Sequence, residues 1–273
     1  MKFVSRIPTG FGTLLCPEGF AGPRGTRALL DERRTVAEGR TLLRDPIWTD
    51  PGTPHGEHRP VMLLPGFMSG DYSMSLLSRW LRRAGYAPLR SQVRLNVECS
   101  RNTLERLTRR VEIAALHENR PITLIGHSLG GIYAKTIAMR RPELVNGVVA
   151  LGSPLLAPTA SHKLLLADVA LLSALNRAGL KKLMNADCVH GECAADSRAE
   201  LAGPFPAHIP FLSVYSRSDG IIDFKAAQDP TAQHVEVDGS HCGMTVNPGV
   251  YRALAEHLPA LTGLRPAKPG AAA

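Results

Sequence analysis

Short apolar runs recur along the chain from residue 61 onward, and each is followed by a turn or a helix-like segment. Runs that are apolar at nearly every position indicate strands buried on both faces of a parallel sheet. Such strands are predicted over VMLLP (61–65), APLRSQV (87–93), ITLIG (122–126), NGVVALG (146–152), IPFLSVYS (209–216) and HVEVD (234–238). The second run is the weakest of the six.

Helical segments are predicted between these strands, over about 26–43, 71–83, 102–117, 129–141 and 249–258. Asp71 is a good N-cap residue for the second segment. Asn102 and Glu105 open the third with the spacing of a capping box. Pro142 ends the fourth. Strands that alternate with helices predict an α/β fold with a mostly parallel, doubly wound sheet covered on both faces.

The alternation of strands and helices is interrupted between the fourth and fifth strands by a long stretch that contains no predicted strand. This stretch is too long for a simple connection in a compact domain, so we interpret residues 155–204 as an inserted helical cap. The other predicted units are an N-terminal extension that packs on the core (1–60), the α/β core (61–154 and 205–262) and a disordered tail (263–273).

Composition and charge leave this picture unchanged and exclude some partners. Hydrophobic residues make up 44% of the 273 residues and charged residues 21%, which is typical of a soluble globular protein. The net charge of +8 comes from scattered arginines. It favours either a solvated basic face or an anionic partner, such as the surface of an anionic membrane. No basic stripe interleaves with aromatic residues, so we predict no nucleic-acid partner.

The N-terminus does not have the pattern of a leader. Its apolar residues are interrupted by Arg6, Pro8, Gly10 and Gly12, which makes a poor signal peptide. No run approaches the roughly 18 apolar residues of a membrane span. The five cysteines are odd in number and too sparse for a disulfide scaffold. We therefore expect a cytoplasmic location and no transmembrane segment.

The stretch G-H-S-L-G (126–130) follows a predicted strand and precedes a predicted helix, as a nucleophile elbow does. A serine hydroxyl projects toward a substrate only from a very sharp turn. In that turn the residues two before and two after the serine approach each other closely, which Gly126 and Gly130 permit. This context predicts Ser128 as a nucleophile. The alternative is an ordinary strand-to-helix turn whose glycines merely close-pack.

A base and an acid are expected later in the chain, in the order nucleophile, acid, histidine. His241 lies in a loop after the last strand and is the predicted base. Asp219 lies at the end of the fifth strand and is the favoured acid, with Asp223 as the alternative. His127 lies inside the elbow, and we interpret it as packing beside Ser128 rather than acting as the base.

An oxyanion hole needs two backbone N–H donors. One donor is expected from Leu129, directly after the nucleophile. The other is expected from Phe67 in the loop after the first strand, where Gly66 permits the close approach of backbone and substrate. An ordinary glycine turn is the alternative for this loop.

The segments VMLLPGF, IGHSLGG, VVALGSP, VYSRSDGIID and GSHCGM resemble the α/β-hydrolase fold family, in its serine esterase and lipase branch. They span about residues 61–258. The resemblance implies an eight-stranded sheet and a Ser–His–Asp triad, carried here by Ser128, His241 and Asp219. Because no clear opening strands precede residue 61, we expect six to eight strands. Many esterases of the family have His-Gly at the oxyanion loop, where this chain has Pro65-Gly66.

This resemblance and the assigned roles predict a serine hydrolase that cleaves small-molecule or lipid-like carboxylic esters through an acyl-enzyme on Ser128, without a cofactor. An acyltransferase with the same triad is the first alternative. A non-catalytic binding protein of the same fold is the second.

The stretch DCVHGEC in the predicted cap brings Cys188, His190 and Cys193 together in sequence. A local disulfide between the two cysteines, reduced thiols or a zinc site would each fit. No fourth ligand is evident nearby, so no metal is predicted. The absence of a G-x-G-x-x-G or phosphate loop predicts that no nucleotide cofactor is bound.

The segment 162–183 in the predicted cap has an apolar arc wider than a surface helix needs to dock on one side. Either the helix is clamped between the core and the rest of the cap, or its second apolar side roofs an acyl pocket over Ser128. The second explanation predicts a preference for apolar acyl chains of medium length, with Leu172 in the pocket wall.

Overall fold

The computed structural model describes residues 16–52 and 55–264. Its α-helices are α1 (Thr26–Asp31), α2 (Arg34–Arg44), α3 (Pro46–Thr49), α4 (Ser75–Arg83), α5 (Ser100–Glu118), α6 (Leu129–Arg140), α7 (Lys163–Arg177), α8 (Asp187–His190), α9 (Glu192–Leu201) and α10 (Pro248–Leu261). Its strands are β1 (Pro60–Leu64), β2 (Ala87–Arg90), β3 (Ile122–His127), β4 (Val145–Leu151), β5 (Phe211–Tyr215) and β6 (Gln233–Glu236). Short 3₁₀ turns cover Asp71–Met74, Pro142–Leu144, Phe224–Ala227 and Cys242–Thr245.

The described strands form one six-stranded sheet in the order β2-β1-β3-β4-β5-β6. All neighbouring pairs are parallel, which confirms the predicted parallel sheet. The chain runs outward from β1 to β2 and then crosses back to β3 on the other side of β1. This reversal opens a crevice at the carboxyl ends of β1 and β3, the usual place for a site in an open α/β sheet.

Side chains along β1 alternate between two hydrophobic cores, one on each face of the sheet. Val61 and Leu63 pack in the cluster that contains Trp80. Met62 and Leu64 pack in the opposite cluster with residues of α5 and α6. All four side chains are buried. This burial on both faces explains why the sequence of β1 is a continuous apolar run and does not alternate with polar residues.

The predicted cap segment, residues 155–204, contains α7, α8 and α9. It also makes one isolated bridge to the loop after β5, between Ser161 and Ile222. In the described part of the chain, no helix combines the length and apolar character needed to cross a bilayer. The predicted tail beyond residue 264 lies outside the described residues.

Two predicted helix starts are wrong. The carboxylate of Asp71 caps no helix; it accepts hydrogen bonds from the Ser91 amide (3.2 Å), the Ser91 hydroxyl (2.6 Å) and the Gln92 amide (3.0 Å) of the loop after β2. Helix α5 begins at Ser100, so Asn102 already lies inside its first turn. A tertiary contact uses the carboxylate of Asp71 in place of the predicted cap. For Asn102, the helix begins before the predicted cap position.

The predicted helix over 26–43 is divided into α1 and α2. The amides of Glu32 and Arg33 bond to carbonyls three residues back, as in a tight turn. This break separates the two helices and lets the side chain of Glu32 reach the loop after β6.

A buried ion pair links α6 to the cap segment and to the loop before β6. The ammonium of Lys135 lies 2.6 Å from a carboxylate oxygen of Asp229 and 3.0 Å from the carbonyl oxygen of Leu201. Burial raises the pKa of Asp229, but the hydrogen bonds from Lys135 and Thr231 outweigh it and lower that pKa below its usual value.

Replacing Lys135 with Met should destabilise the fold by about 3–5 kcal/mol, because it leaves the carboxylate of Asp229 buried without its cation. Urea unfolding measures this loss. The double variant Lys135→Met/Asp229→Asn removes the charge and should recover part of the stability. Equal stabilities of Lys135→Met and the unmodified protein would contradict the pairing.

Candidate active site

The elbow is built as its glycines predict. β3 ends at His127, α6 begins at Leu129, and Ser128 between them has φ 53° and ψ −120°, a strained conformation for a residue with a side chain. A Cβ added at Gly126 would lie 2.2 Å from the carbonyl carbon of Gly130. One added at Gly130 would lie 2.1 Å from the carbonyl oxygen of Leu64. Neither position has room for a methyl group.

The structure brings Ser128, His241 and Asp219 into one hydrogen-bonded chain. The Ser128 hydroxyl lies 3.0 Å from Nε2 of His241, and Nδ1 of His241 lies 2.7 Å from a carboxylate oxygen of Asp219. The other oxygen of Asp219 accepts the amides of Ile221 and Ile222, both at 2.8 Å. Because the carboxylate can only accept, Nδ1 carries the proton and Nε2 is free to accept one from the serine.

The environments of the two histidines of the site shift their pKa values in opposite directions. Burial alone would lower the pKa of His241, but the charge of Asp219 and the hydrogen bond to it raise that pKa above its usual value. Burial lowers the pKa of His127 to about 3, helped by the neighbouring His241. Nε2 of neutral His127 donates to the backbone carbonyl of His241 at 2.9 Å. His127 therefore packs against the loop of the other histidine and does not reach the serine as a base.

The alternative acid, Asp223, lies elsewhere. Its carboxylate accepts the amides of Ala21 (2.9 Å) and Lys225 (3.1 Å) and so joins the N-terminal segment to the 3₁₀ turn after β5. Asp223 therefore has a structural role. The carboxylate in contact with His241 is that of Asp219.

The loop after β1 lies against the elbow. A Cβ added at Gly66 would lie 3.1 Å from Cβ of Ser128. Among the described residues, the amides of Phe67 and Leu129 have no hydrogen-bond acceptor, as an oxyanion hole requires before substrate arrives. The buried side chain of Asn96 holds this loop by donating to the carbonyl of Pro65 at 3.1 Å. No local sequence pattern marks Asn96 for this role.

Two glutamates of the N-terminal segment hold the histidine loop, and sequence reasoning missed both. One carboxylate oxygen of Glu32 accepts the amides of Gly220 (3.1 Å) and His241 (2.9 Å), and the other accepts that of Cys242 (2.8 Å). Glu32 thereby joins the loop that carries Asp219 to the loop that carries His241. Glu38 is buried and accepts the amide of Ser240 at 2.9 Å. No local pattern marks either glutamate, because their partners lie about 200 positions away in the chain.

An apolar cavity of about 190 Å³ opens beside Ser128. Leu165, Leu166 and Val169 of α7 form part of its wall. Leu172 is half-buried and is not among the lining residues, so its predicted place in the pocket is wrong. Leu172 lies roughly one turn beyond Val169, which is the last residue of α7 that lines the cavity.

The cysteines of the cap segment also line this cavity. Cys188 and Cys193 are both free thiols, and a third cysteine, Cys99 at the start of α5, lies beside them. The local disulfide considered from the sequence is therefore not formed. The cysteine that lies beside both thiols is Cys99, which comes from the core.

Comparisons with known proteins agree on the fold. A family model described as a PGAP1-like alpha/beta domain matches residues 89–196, which is less than half of the chain. The mature lipase BlEst2 of Bacillus licheniformis has a similar structure, with 14% identity and a TM-score of 0.55 over 76% of this chain and 94% of that one. A monoacylglycerol lipase of Paleococcus ferrophilus has 16% identity and a TM-score of 0.52 over 76% and 97%. No curated protein matches in sequence. The chain has the α/β-hydrolase fold, as its motifs predicted.

If Glu32 orients the histidine loop, Glu32→Ala should lower kcat/KM for an activated ester by roughly 10- to 100-fold, because small misplacements of a reacting group are costly. It should also lower the pKa of His241, which the charge of Glu32 raises, so that the acid limb of the pH–rate profile moves to lower pH. Asp31→Ala removes an equal charge from an exposed neighbour and should change neither. A lower rate with an unmoved acid limb would mean that Glu32 only supports folding.

Proposed function

We propose that this protein is a serine hydrolase that cleaves carboxylic esters through an acyl-enzyme on Ser128. The observation that carries the proposal is the buried chain of hydrogen bonds from Ser128 through His241 to Asp219, at the crevice where strand order reverses. The two similar solved structures named above, both described as lipases, are consistent with this activity.

Each residue has one role in the proposed reaction. His241 Nε2 takes the hydroxyl proton as Ser128 Oγ attacks the ester carbonyl, and Asp219 stabilises the imidazolium that forms. The carbonyl oxygen gains a negative charge, which the amides of Phe67 and Leu129 stabilise. Collapse of this intermediate breaks the bond to the alcohol, and His241 returns the proton to it.

Deacylation repeats these steps with water in place of the serine. His241 takes a proton from water, the resulting hydroxide attacks the acyl carbonyl, and Ser128 leaves with that proton while the carboxylic acid is released. An alcohol or amine in place of water would make the protein an acyltransferase. Product analysis with and without an added alcohol separates the two outcomes.

A fluorophosphonate probe should label the protein, and Ser128→Ala should abolish the labelling, because the probe reacts with a serine activated by a base. Ser161→Ala is the matched control, since Ser161 lines the same cavity without a histidine partner, and it should be labelled normally. Labelling that persists in Ser128→Ala would contradict the proposed nucleophile.

Ester hydrolysis should fall on the acid side with a midpoint above about pH 6.5, the ordinary pKa of histidine. The reason is that Asp219 raises the pKa of His241, and the base works only in its neutral form. A kcat/KM profile that stays flat through this region would contradict a histidine base.

The apolar cavity favours esters with apolar acyl chains over acetate. Each methylene buried in the transition state contributes about 0.8 kcal/mol, close to fourfold in rate. We expect kcat/KM for p-nitrophenyl esters to rise over the first several methylenes from acetate toward dodecanoate. Val169→Asp should flatten this rise, because Val169 lines the cavity.

The matched control lies on the same helix. Leu171 is 58% exposed and outside the cavity, so Leu171→Asp should leave the chain-length dependence unchanged. A monotonic decline from acetate in the unmodified protein would exclude an acyl pocket and indicate a small or polar substrate.

A further inference from the structure

Three cysteines from three separate segments meet in the wall of the cavity. Cys99 immediately precedes α5 in the core, Cys188 lies in α8, and Cys193 lies in α9. Their Sγ atoms all lie within 4.8 Å of one another, and the Cys99 and Cys193 sulfurs are 3.8 Å apart. The three thiols converge on one point although 94 positions separate Cys99 from Cys193.

This spacing fits ligands of a common metal ion. With Zn–S bonds of about 2.3 Å, two sulfurs on a tetrahedral zinc lie roughly 3.8 Å apart, and two on a trigonal zinc roughly 4.0 Å. A disulfide needs the sulfurs at about 2.05 Å, so the 3.8 Å between the Cys99 and Cys193 sulfurs is a non-bonded distance.

A buried polar group lies in the wall of the same cavity. The hydroxyl of Tyr133 is buried and has no hydrogen-bond partner among the described residues, and Tyr133 lines the cavity together with Cys188 and Cys193. The wall that holds the cluster therefore also contains a polar group with its bonding capacity unused.

We propose that Cys99, Cys188 and Cys193 form a three-thiolate site for a soft divalent cation such as Zn²⁺. Thiolates are the ligands that such cations prefer, and three protein ligands leave a fourth position for water. From the sequence, no fourth ligand is evident near Cys188, His190 and Cys193, and Cys99 lies 94 positions before Cys193, so no metal was predicted.

A cation at this point would join the core to the cap segment. It would hold α8 and α9 against the start of α5 and so stiffen the cavity wall that Cys188 and Cys193 form. The proposed role is structural: the site does not include Ser128, His241 or Asp219, and it does not depend on the esterase proposal.

Cobalt titration of the reduced 273-residue chain tests the site directly. Co²⁺ should bind with a stoichiometry of one and produce thiolate-to-cobalt charge-transfer absorption, which Zn²⁺ should bleach by displacement. Cys99→Ser, Cys188→Ser and Cys193→Ser should each weaken Co²⁺ binding by at least about 100-fold, more than the loss of an outer-shell partner costs. Cys16→Ser and Cys242→Ser are matched controls at cysteines outside the cluster and should bind normally.

Thermal unfolding provides a second readout. Stoichiometric Zn²⁺ should raise the Tm of the unmodified chain, because a ligand that binds only the native state stabilises it, and this rise should disappear in Cys99→Ser. The metal-free variants should keep the far-UV circular dichroism of the unmodified chain, which excludes misfolding as the cause. Absence of the charge-transfer band in the reduced chain, or its survival in Cys99→Ser, would overturn the proposal. A Cys99–Cys193 disulfide in the isolated protein together with no cobalt binding after reduction would identify a redox cross-link instead.

Discussion

The close contact between Gly126 and Gly130 is the constraint on which the site depends. It lets β3 turn directly into α6 and holds Ser128 in a strained conformation with φ 53°. A residue cannot keep such a conformation unless its surroundings impose it. Here the next strand does so: the Ser128 amide donates to the carbonyl of Leu151 in β4 at 2.9 Å. The position of the hydroxyl is therefore set by the sheet rather than by the loop.

The histidine does not have such support from the sheet, because it lies in a loop beyond an edge strand. Its orientation comes from buried polar contacts instead. Asp219 holds one ring nitrogen, His127 donates to the backbone carbonyl of His241, and Glu32 accepts its amide. Glu32 is half-buried, and its carboxylate accepts three amides from the two loops that must be aligned. The N-terminal segment thus contributes to the geometry of the site without contacting the serine.

The parts that sequence predicted correctly are those encoded within a few residues. The six strands and the elbow depend on runs and spacings inside single segments, and the contact between Asp219 and His241 was expected from their order along the chain. The errors have a common cause. Asp71 and Asn102 have local capping patterns, but Asp71 is used by the loop after β2, and α5 starts before Asn102. Glu32 and Cys99 carry no local pattern at all, since each acts on partners far along the chain.

Helix α6 connects the elbow, the cavity and the thiol cluster. Its first residue, Leu129, has an amide beside Ser128 that finds no acceptor in the described part of the chain. One turn later Tyr133 lines the cavity next to the thiol cluster, and Lys135 binds the carbonyl of Leu201 at the end of α9. Because residues on one helix keep fixed relative positions, a displacement of the cap segment must either break the Lys135 contact or shift the helix that carries the elbow. The cavity wall and Ser128 are therefore positioned by the same element. A cation bound at Cys193, near the start of α9, and the hydrogen bond from Lys135 to Leu201, at its end, would restrain α9 at both of its ends.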